Sequence, residues 1–249
     1  MEEIPKPSAG NGEVLVKVEA CGVNPVDTKI RCGEFSRYIP CLPATLGRDI
    51  SGTVVEVTGD VAGIAKGDAV FGMLDYDRGA YAEYATAGAM EIARKPAGLS
   101  FEEAAALPVP ALTAWQALFE FGRLKAGQRV LIHGAGGGVG HFAVQFAVLQ
   151  GAQVIATCGK EDLEFVRELG AEHAIDYKAE KFENDASGID LVVDLVAGDT
   201  RKRSWQILRP GGILVSTLPG PKPEGRSDVS GREVVVHQAP WQLSEIAAL

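Results

Sequence analysis

Residues 130–140 read VLIHGAGGGVG, and the next eleven, HFAVQFAVLQG, are apolar at helical spacing. A short apolar strand therefore enters a glycine-rich turn and passes straight into a helix. That geometry brings backbone N–H groups and a helix N-terminus against a pyrophosphate. The pattern is A-x-G-x-x-G, with Ala135, Gly137 and Gly140 in the special places and Gly138 and Val139 between them. Gly137 lets the backbone approach a phosphate, Gly140 lets helix and strand pack closely, and Ala135 is small enough for the tight turn. A glycine run alone also fits a purely structural turn. Here the pattern continues through QVIATC, a helix ending at ELGA, then HAIDY, IDLVVDLV and GGILVST. Alternating strands and helices of this kind build a parallel sheet, so the expectation is a dinucleotide site in an α/β domain.

The chain has 249 residues, 46% of them hydrophobic, enough for a full core and for two domains. Glycine and proline cluster before Gly127, which points to a turn-rich β region there. A net charge of −9 with no basic stripe argues against binding a nucleic-acid backbone. Cys21, Cys32, Cys41 and Cys158 form no C-x-x-C pair and have no histidine at ligand spacing, so reduced thiols are expected, with no disulfide frame and no metal. No stretch approaches a membrane span, and MEEIPKP lacks the basic and apolar regions of a secretory signal. The expectation is a soluble cytoplasmic protein with no membrane partner.

Residues 13–20 alternate apolar and polar, the period of a strand with one buried face. Strand-like runs follow at 50–58, 68–73 and 80–86. Ser100, with Glu103 three residues on, forms a capping box that opens a helix. Pro108 and Pro110 interrupt that helix, and another is expected to begin at Thr113. The domain change is placed near residue 100, giving a β domain over 1–99 and an α/β domain over 100–249. A strand REVVVHQ (232–238) and a helix WQLSEIAAL close the chain. The front opens on a proline-rich segment where a strand is expected, and the last helix looks clipped.

Several segments together resemble the medium-chain dehydrogenase/reductase superfamily, in its zinc-independent quinone oxidoreductase (zeta-crystallin-like) branch. They are EVLVKVEACGVNPVDT (13–28), LGRDISGTVVEV (46–57), KGDAVFG (66–72), LPVPALTAW (107–115) and the whole of 129–218. The resemblance implies a GroES-like β domain, a Rossmann doubly wound parallel sheet, NADPH as hydride donor and a cleft between the domains. In the zinc alcohol dehydrogenases that otherwise look similar, a cysteine ligand follows Gly-Val and a histidine follows Leu-Gly; here Asn24 and Arg48 stand there. Neither an amide nor a guanidinium replaces a thiolate or an imidazole at zinc. Without a Lewis acid, oxidising an unactivated alcohol is difficult, whereas a quinone or enone accepts hydride with its charge delocalised onto oxygen.

The resemblance gives Asn24 the task of orienting the carbonyl or the nicotinamide edge; the plain alternative is a turn residue before Pro25. Asp27 either supports that loop or contacts substrate, with support favoured. Arg48 either presents charge to the cleft or pairs with a neighbour such as Asp49. Phe35 stands where many relatives have a tyrosine, so the proton must come from water or another side chain. By resemblance Thr113 lies beside the nicotinamide. His133 reads as a satisfied core histidine and His141 as an edge of the phosphate helix. At the end of the second α/β strand, Thr157, Cys158 and Lys160 occupy the place where NAD-preferring sites put a carboxylate. Thr157 and Lys160 suit a 2′-phosphate, which favours NADPH, while Glu161 and Asp162 keep NADH open.

These readings converge on an NADPH-dependent oxidoreductase that passes hydride to a small-molecule acceptor, a quinone or an α,β-unsaturated carbonyl. The competing class is a non-catalytic NADPH-binding or truncated protein. Three consecutive valines in REVVVHQ predict a homodimer through that sheet edge.

Overall fold

The computed structural model describes residues 2–35, 42–61, 63–223 and 225–249; Cys41 lies outside them. The chain divides into two compact units, one comprising residues up to Leu112 together with His237–Leu249, the other Thr113–Val236.

The first unit is built on an antiparallel sheet. Strand β1 (Glu13–Cys21) leads into a short helix α1 (Pro25–Arg31), followed by β2 (Asp49–Thr58), β3 (Ala69–Met73), β4 (Tyr84–Gly88) and β5 (Ile92–Arg94). The strand order is β4-β1-β2-β3-β5. Val14 pairs with Val57 on one side and Ala87 on the other, so the branched residues of neighbouring strands meet in one core with Ile50, Val54, Val70 and Ile92. Helix α2 (Phe101–Ala105) opens on the expected capping box: Ser100 Oγ accepts from the Glu103 N–H at 3.1 Å, and Glu103 accepts from the Ser100 N–H at 2.8 Å. Helix α3 (Pro108–Trp115) follows.

The second unit starts with a π-helical turn (Gln116–Phe121) and continues with β6 (Arg129–His133), α4 (Gly138–Leu149), β7 (Gln153–Cys158), α5 (Leu163–Glu168), β8 (His173–Asp176), β9 (Ile189–Asp194), α6 (Gly198–Ile207), β10 (Leu208–Ser216) and β11 (Ser230–Glu233). All pairings are parallel, in the order β11-β10-β9-β6-β7-β8. The order reverses at β6, and the crevice outside the strand ends at such a switch point is where open α/β sheets bind ligands. The glycine turn lies there. Leu131, Ile155, Val192, Trp205 and Leu214 fill the core of this unit. A GroES-like domain and a Rossmann-type sheet are therefore both present. No helix among the described residues is long and apolar enough to cross a membrane.

Several boundaries differ from the sequence reading. Helix α2 packs on β1, β2 and β3, so the first unit reaches Leu112 and does not stop at residue 99. Helix α7 (Pro240–Ile246) packs on β5, so the chain from His237, given to the α/β domain in the sequence reading, belongs to the first unit. The run 80–86 is strand only from Tyr84, because residues 80 and 81 turn their N–H groups to Gly47 and Leu46 at 3.0 and 2.9 Å. Strand β11 ends at Glu233 and does not run to residue 238. Its partner runs out: Val234 N–H donates to Ser216, the last residue of β10. Thr113 does not begin its helix. Pro108, Val109 and Pro110 form its first turn, where N–H groups have no helical acceptor and proline costs nothing.

Candidate functional site

In the first unit, Asn24 is the N-cap of α1 in extended conformation, with Pro25 pre-set for the first helical position. Its side-chain Nδ2 donates to Asp49 Oδ2 at 2.7 Å, and its backbone N–H donates to Asp27 Oδ2 at 2.8 Å. Asp27 Oδ2 also accepts from the Tyr81 hydroxyl at 2.8 Å, while Asp27 Oδ1 is buried with no partner among the described residues. Asp27 thus ties the Asn24 backbone to Tyr81 within this loop. The Tyr81 ring lies on Gly47: a Cβ built there would sit 2.5 Å from the ring, so glycine at this positive φ is required twice over. Burial and the Asp27 carboxylate together raise the Tyr81 phenol above its ordinary value.

Asp49, 1% exposed, opens β2 and takes a second hydrogen bond on Oδ1 from the Val109 N–H at 2.7 Å. Burial pushes its carboxyl up to about 7; the bonds from Asn24 and Val109 and the charge of Arg48 pull the other way. Arg48 makes no ion pair with Asp49 among the described residues. Its Nε donates to the Leu74 carbonyl at 3.0 Å, Nη1 to the Tyr76 hydroxyl at 3.1 Å, and the guanidinium stacks on the Tyr76 ring. The buried cation is thus satisfied by a carbonyl, a hydroxyl and a ring face. Among the described residues no three His, Cys, Asp or Glu side chains gather as a metal site. Cys21 and Cys32 are exposed free thiols.

In the second unit, the glycine turn closes with the Ala135 N–H on the Thr157 carbonyl at 3.0 Å and the Gly137 N–H on the Gly134 carbonyl at 3.1 Å. The first helical bond of α4 comes from His141 to Gly137. The N–H groups of Gly138, Val139 and Gly140 consequently have no acceptor among the described residues, a cradle that could hold phosphate oxygens at the positive end of a twelve-residue helix. The glycines divide their tasks. A Cβ on Gly140 would lie 2.2 Å from the Gly134 carbonyl oxygen, so this position serves packing. A Cβ on Gly137 would meet only that oxygen, at 3.3 Å, so the protein leaves that space for something else. Ala135 is fully buried in the turn.

Thr157 is corrected by the structure. Its hydroxyl is buried and lies 2.9 Å from His133 Nδ1, not at the sheet's edge. His133 Nε2 lies 2.9 Å from Ser204 Oγ, whose own proton goes to the Thr200 carbonyl at 2.7 Å. Ser204 must therefore accept from Nε2–H, and Nδ1 accepts from Thr157. The chain of bonds leaves Thr157 no donor for a phosphate, and His133 is the satisfied core residue expected. Burial holds His133 down to about 4. Lys160 is exposed just past β7. Asp162 lies against Gly136, where a Cβ would be 2.4 Å from its carboxylate oxygen, so a negative group stands beside the turn.

Three features escaped the sequence reading. Tyr177, 60% exposed, follows β8, and its backbone N–H donates to the carbonyl of Cys158, two residues before Lys160. Asp194 ends β9 fully buried, bonded to Arg201 Nε at 2.6 Å, Ser216 Oγ at 2.9 Å and the N–H groups of Val196 and Ala197. Burial alone would raise this carboxyl, but those donors outweigh it and hold it below the usual range. They also fix Ala197 at φ 58°, a strained backbone for a side-chain-bearing residue at the strand ends where ligands bind. The third is the Asp49–Asn24 bond, because those residues are 25 positions apart.

Residues 10–97 match the alcohol dehydrogenase GroES-like domain, and residues 138–239 match the zinc-binding dehydrogenase domain. Quinone oxidoreductase of Mus musculus is 36% identical over 234 residues, covering 90% of this chain and 70% of that protein. The chain spans about two thirds of the length of the curated relatives it matches. Among solved structures, the quinone oxidoreductase of Coxiella burnetii superposes with a TM-score of 0.89 at 35% identity, covering 99% of this chain and 81% of that one. The Escherichia coli quinone oxidoreductase complexed with NADPH gives 0.85 at 29% identity, covering 100% and 81%.

Proposed function

Since the chain belongs to the zeta-crystallin-like quinone oxidoreductase branch of the medium-chain dehydrogenase/reductase superfamily, we propose that it is an NADPH-dependent oxidoreductase acting on quinones or α,β-unsaturated carbonyls without zinc. The observation that carries this reading is the cradle of three acceptor-free N–H groups at Gly138, Val139 and Gly140, with Gly137 left open. Those groups fit a pyrophosphate, and the exposed Lys160 fits an adenosine 2′-phosphate. Bound NADPH supplies the hydride. The chain's own residues have three tasks. The α4 N-terminus binds charge, the Asp194–Arg201 cluster fixes the loop after β9, and Asn24 presents its amide to the acceptor oxygen or the nicotinamide edge.

The side chains at the two ligand places support the metal-free reading. The Asn24 amide is committed to Asp49, and the Arg48 guanidinium to Leu74 and Tyr76. A hydrogen-bond donor then has to suffice for the charge that develops on oxygen, which restricts the acceptors to conjugated carbonyls. Lys160 and the lack of a carboxylate on β7 favour NADPH over NADH; Asp162 against Gly136 is the feature that keeps NADH in competition.

The test is NADPH oxidation by the purified chain with a panel of quinones and enones, accompanied by metal analysis. Turnover with conjugated acceptors and no stoichiometric zinc is expected. One zinc per chain that survives dialysis, with activity lost to a chelator, would overturn the metal-free reading. Tight NADPH binding with no turnover across the panel would leave a non-catalytic binding protein.

A further inference from the structure

We infer that Asp49 is a positioning residue for the reaction: through Asn24 it decides which hydrogen-bonding groups of the amide face the electron acceptor. The inference rests on the reading of Asn24 as the group that orients the acceptor. An asparagine amide offers two donors on one arm and an acceptor on the other, and turning it over changes its shape very little. Left alone, Asn24 could present either arm. Above about pH 7, where Asp49 is ionised, its carboxylate only accepts. With Asp49 Oδ2 at 2.7 Å, the arm facing it has to be Nδ2, and the inverted amide would set oxygen against oxygen. Asp49 therefore leaves Oδ1 and the second N–H of Asn24 in fixed places.

Asp49 itself cannot swing. Its other oxygen is held by the Val109 N–H at 2.7 Å. The strand exit packs so tightly on it that a Cβ at Gly22 would lie 2.7 Å from Oδ2 and 2.9 Å from the Asp49 Cβ. The backbone end of Asn24 is pinned separately by Asp27. With a side chain closed off from solvent, Asp49 is not placed to touch a substrate, so its effect must pass through Asn24. The ionisable groups acting on this cluster are Arg48 just before β2, Asp27 from α1, Cys21 at the end of β1 and Tyr81.

The experiment is a double-mutant cycle of Asp49→Asn and Asn24→Ala on the full chain, read at about pH 8.5, where Asp49 is ionised, with 1,4-benzoquinone and cyclohexenone as acceptors. An asparagine at 49 that keeps the Val109 bond on its oxygen points its NH2 at the Asn24 NH2, and the Asn24 amide must turn over. Asp49→Asn should lower kcat roughly tenfold in the native background and change it less than about twofold beside Asn24→Ala. NADPH binding, followed by fluorescence, should stay unchanged in both. An equal loss in the two backgrounds, or none in the native one, overturns the positioning role while leaving Asn24 in place. Full activity of Asn24→Ala alone overturns the reading of Asn24, and this inference with it. Should Asp49→Asn fail to fold, NMR of the Asn24 side-chain amide in the native chain tests the same bond. One proton shifted downfield and protected from exchange supports it, and two ordinary protons overturn it.

Discussion

His133 is neutral by construction, and that makes a quantitative prediction. Both ring nitrogens are already bonded, Nε2–H to Ser204 and Nδ1 as acceptor from Thr157. A second proton on Nδ1 would face a hydroxyl that is itself donating, inside a core closed by the Phe182 ring edge-on at 4.8 Å. The imidazole is accordingly held at about 4 against an ordinary 6.5. A depressed folded value means that the unfolded chain takes up the proton first. Stability from this group is complete above 6.5 and is lost as pH falls toward 4. Between pH 8 and pH 5 the loss amounts to about 2 kcal/mol, most of it below pH 6.5. Asp49 works in the opposite direction: its raised carboxyl, about 7 against 3.8, contributes fully below 3.8 and loses stability as pH rises through 7. The two trends mask one another in the native chain. They separate when the native chain is compared with His133→Gln, whose amide can keep both bonds without titrating. Urea unfolding of the cofactor-free protein, followed by the fluorescence of the fully buried Trp205, should show the stability gap between the two proteins shrinking by about 2 kcal/mol from pH 8 to pH 5. Parallel curves would refute the argument, because they would mean that His133 titrates alike in both states.

Three further outcomes follow from other parts of the molecule. Gly137→Ala should weaken NADPH binding at least tenfold or so while shifting stability by less than about 1 kcal/mol, whereas Gly140→Ala should cost about 1–3 kcal/mol of stability by overpacking α4 on the turn; paired urea and NADPH titrations distinguish them, and the reverse ranking rejects the division of tasks. Lys160→Glu should lower NADPH affinity roughly tenfold and leave NADH little changed; equal losses would remove Lys160 from the 2′-phosphate site. The proposed homodimer through the β11 edge should dissociate in Val235→Lys, since Val235 stands 57% exposed just beyond that edge; light scattering that finds a native monomer, or a dimer indifferent to the lysine, rejects this interface.

The parts legible in the sequence were those with short-range causes. The alternation of 13–20 gave β1, the Ser100–Glu103 pair gave the start of α2, and the glycine turn gave both the switch-point strand and α4. What escaped reading depended on facing. In β7 every residue from Val154 to Cys158 is buried, as strands of a parallel sheet covered on both faces are. No polar alternation marks which way Thr157 points, so its hydroxyl was assigned to a cofactor when it serves His133. The break at Leu112 was hidden because prolines at 108 and 110 look like an interruption, although both sit in the first turn of α3, where proline is tolerated. Tyr81 and Asp49 find Asp27 and Asn24 across 54 and 25 residues, and only the sheet brings such positions together.

Under the proposed function, Asn24 and Arg48 in the places of metal ligands do more than remove a metal. A guanidinium at position 48 sets a permanent positive charge beside Asp49, and without it the fully buried carboxyl would lie higher still. Arg48 is kept from pairing directly by its bonds to Leu74 and Tyr76, so Asp49 is left free to take the amide of Asn24 on one oxygen and the first turn of α3 on the other. Had the two charges met, the buried pair would satisfy itself and Asn24 would lose the partner that orients it. Under the proposed function, the polarisation that a Lewis acid gives directly is delivered here by an amide whose direction is set at one remove. Such a donor stabilises developing charge far less than a metal ion does. Selectivity for acceptors that already delocalise the incoming electrons is then a consequence of the residues at 24, 48 and 49, and needs no specific pocket to enforce it.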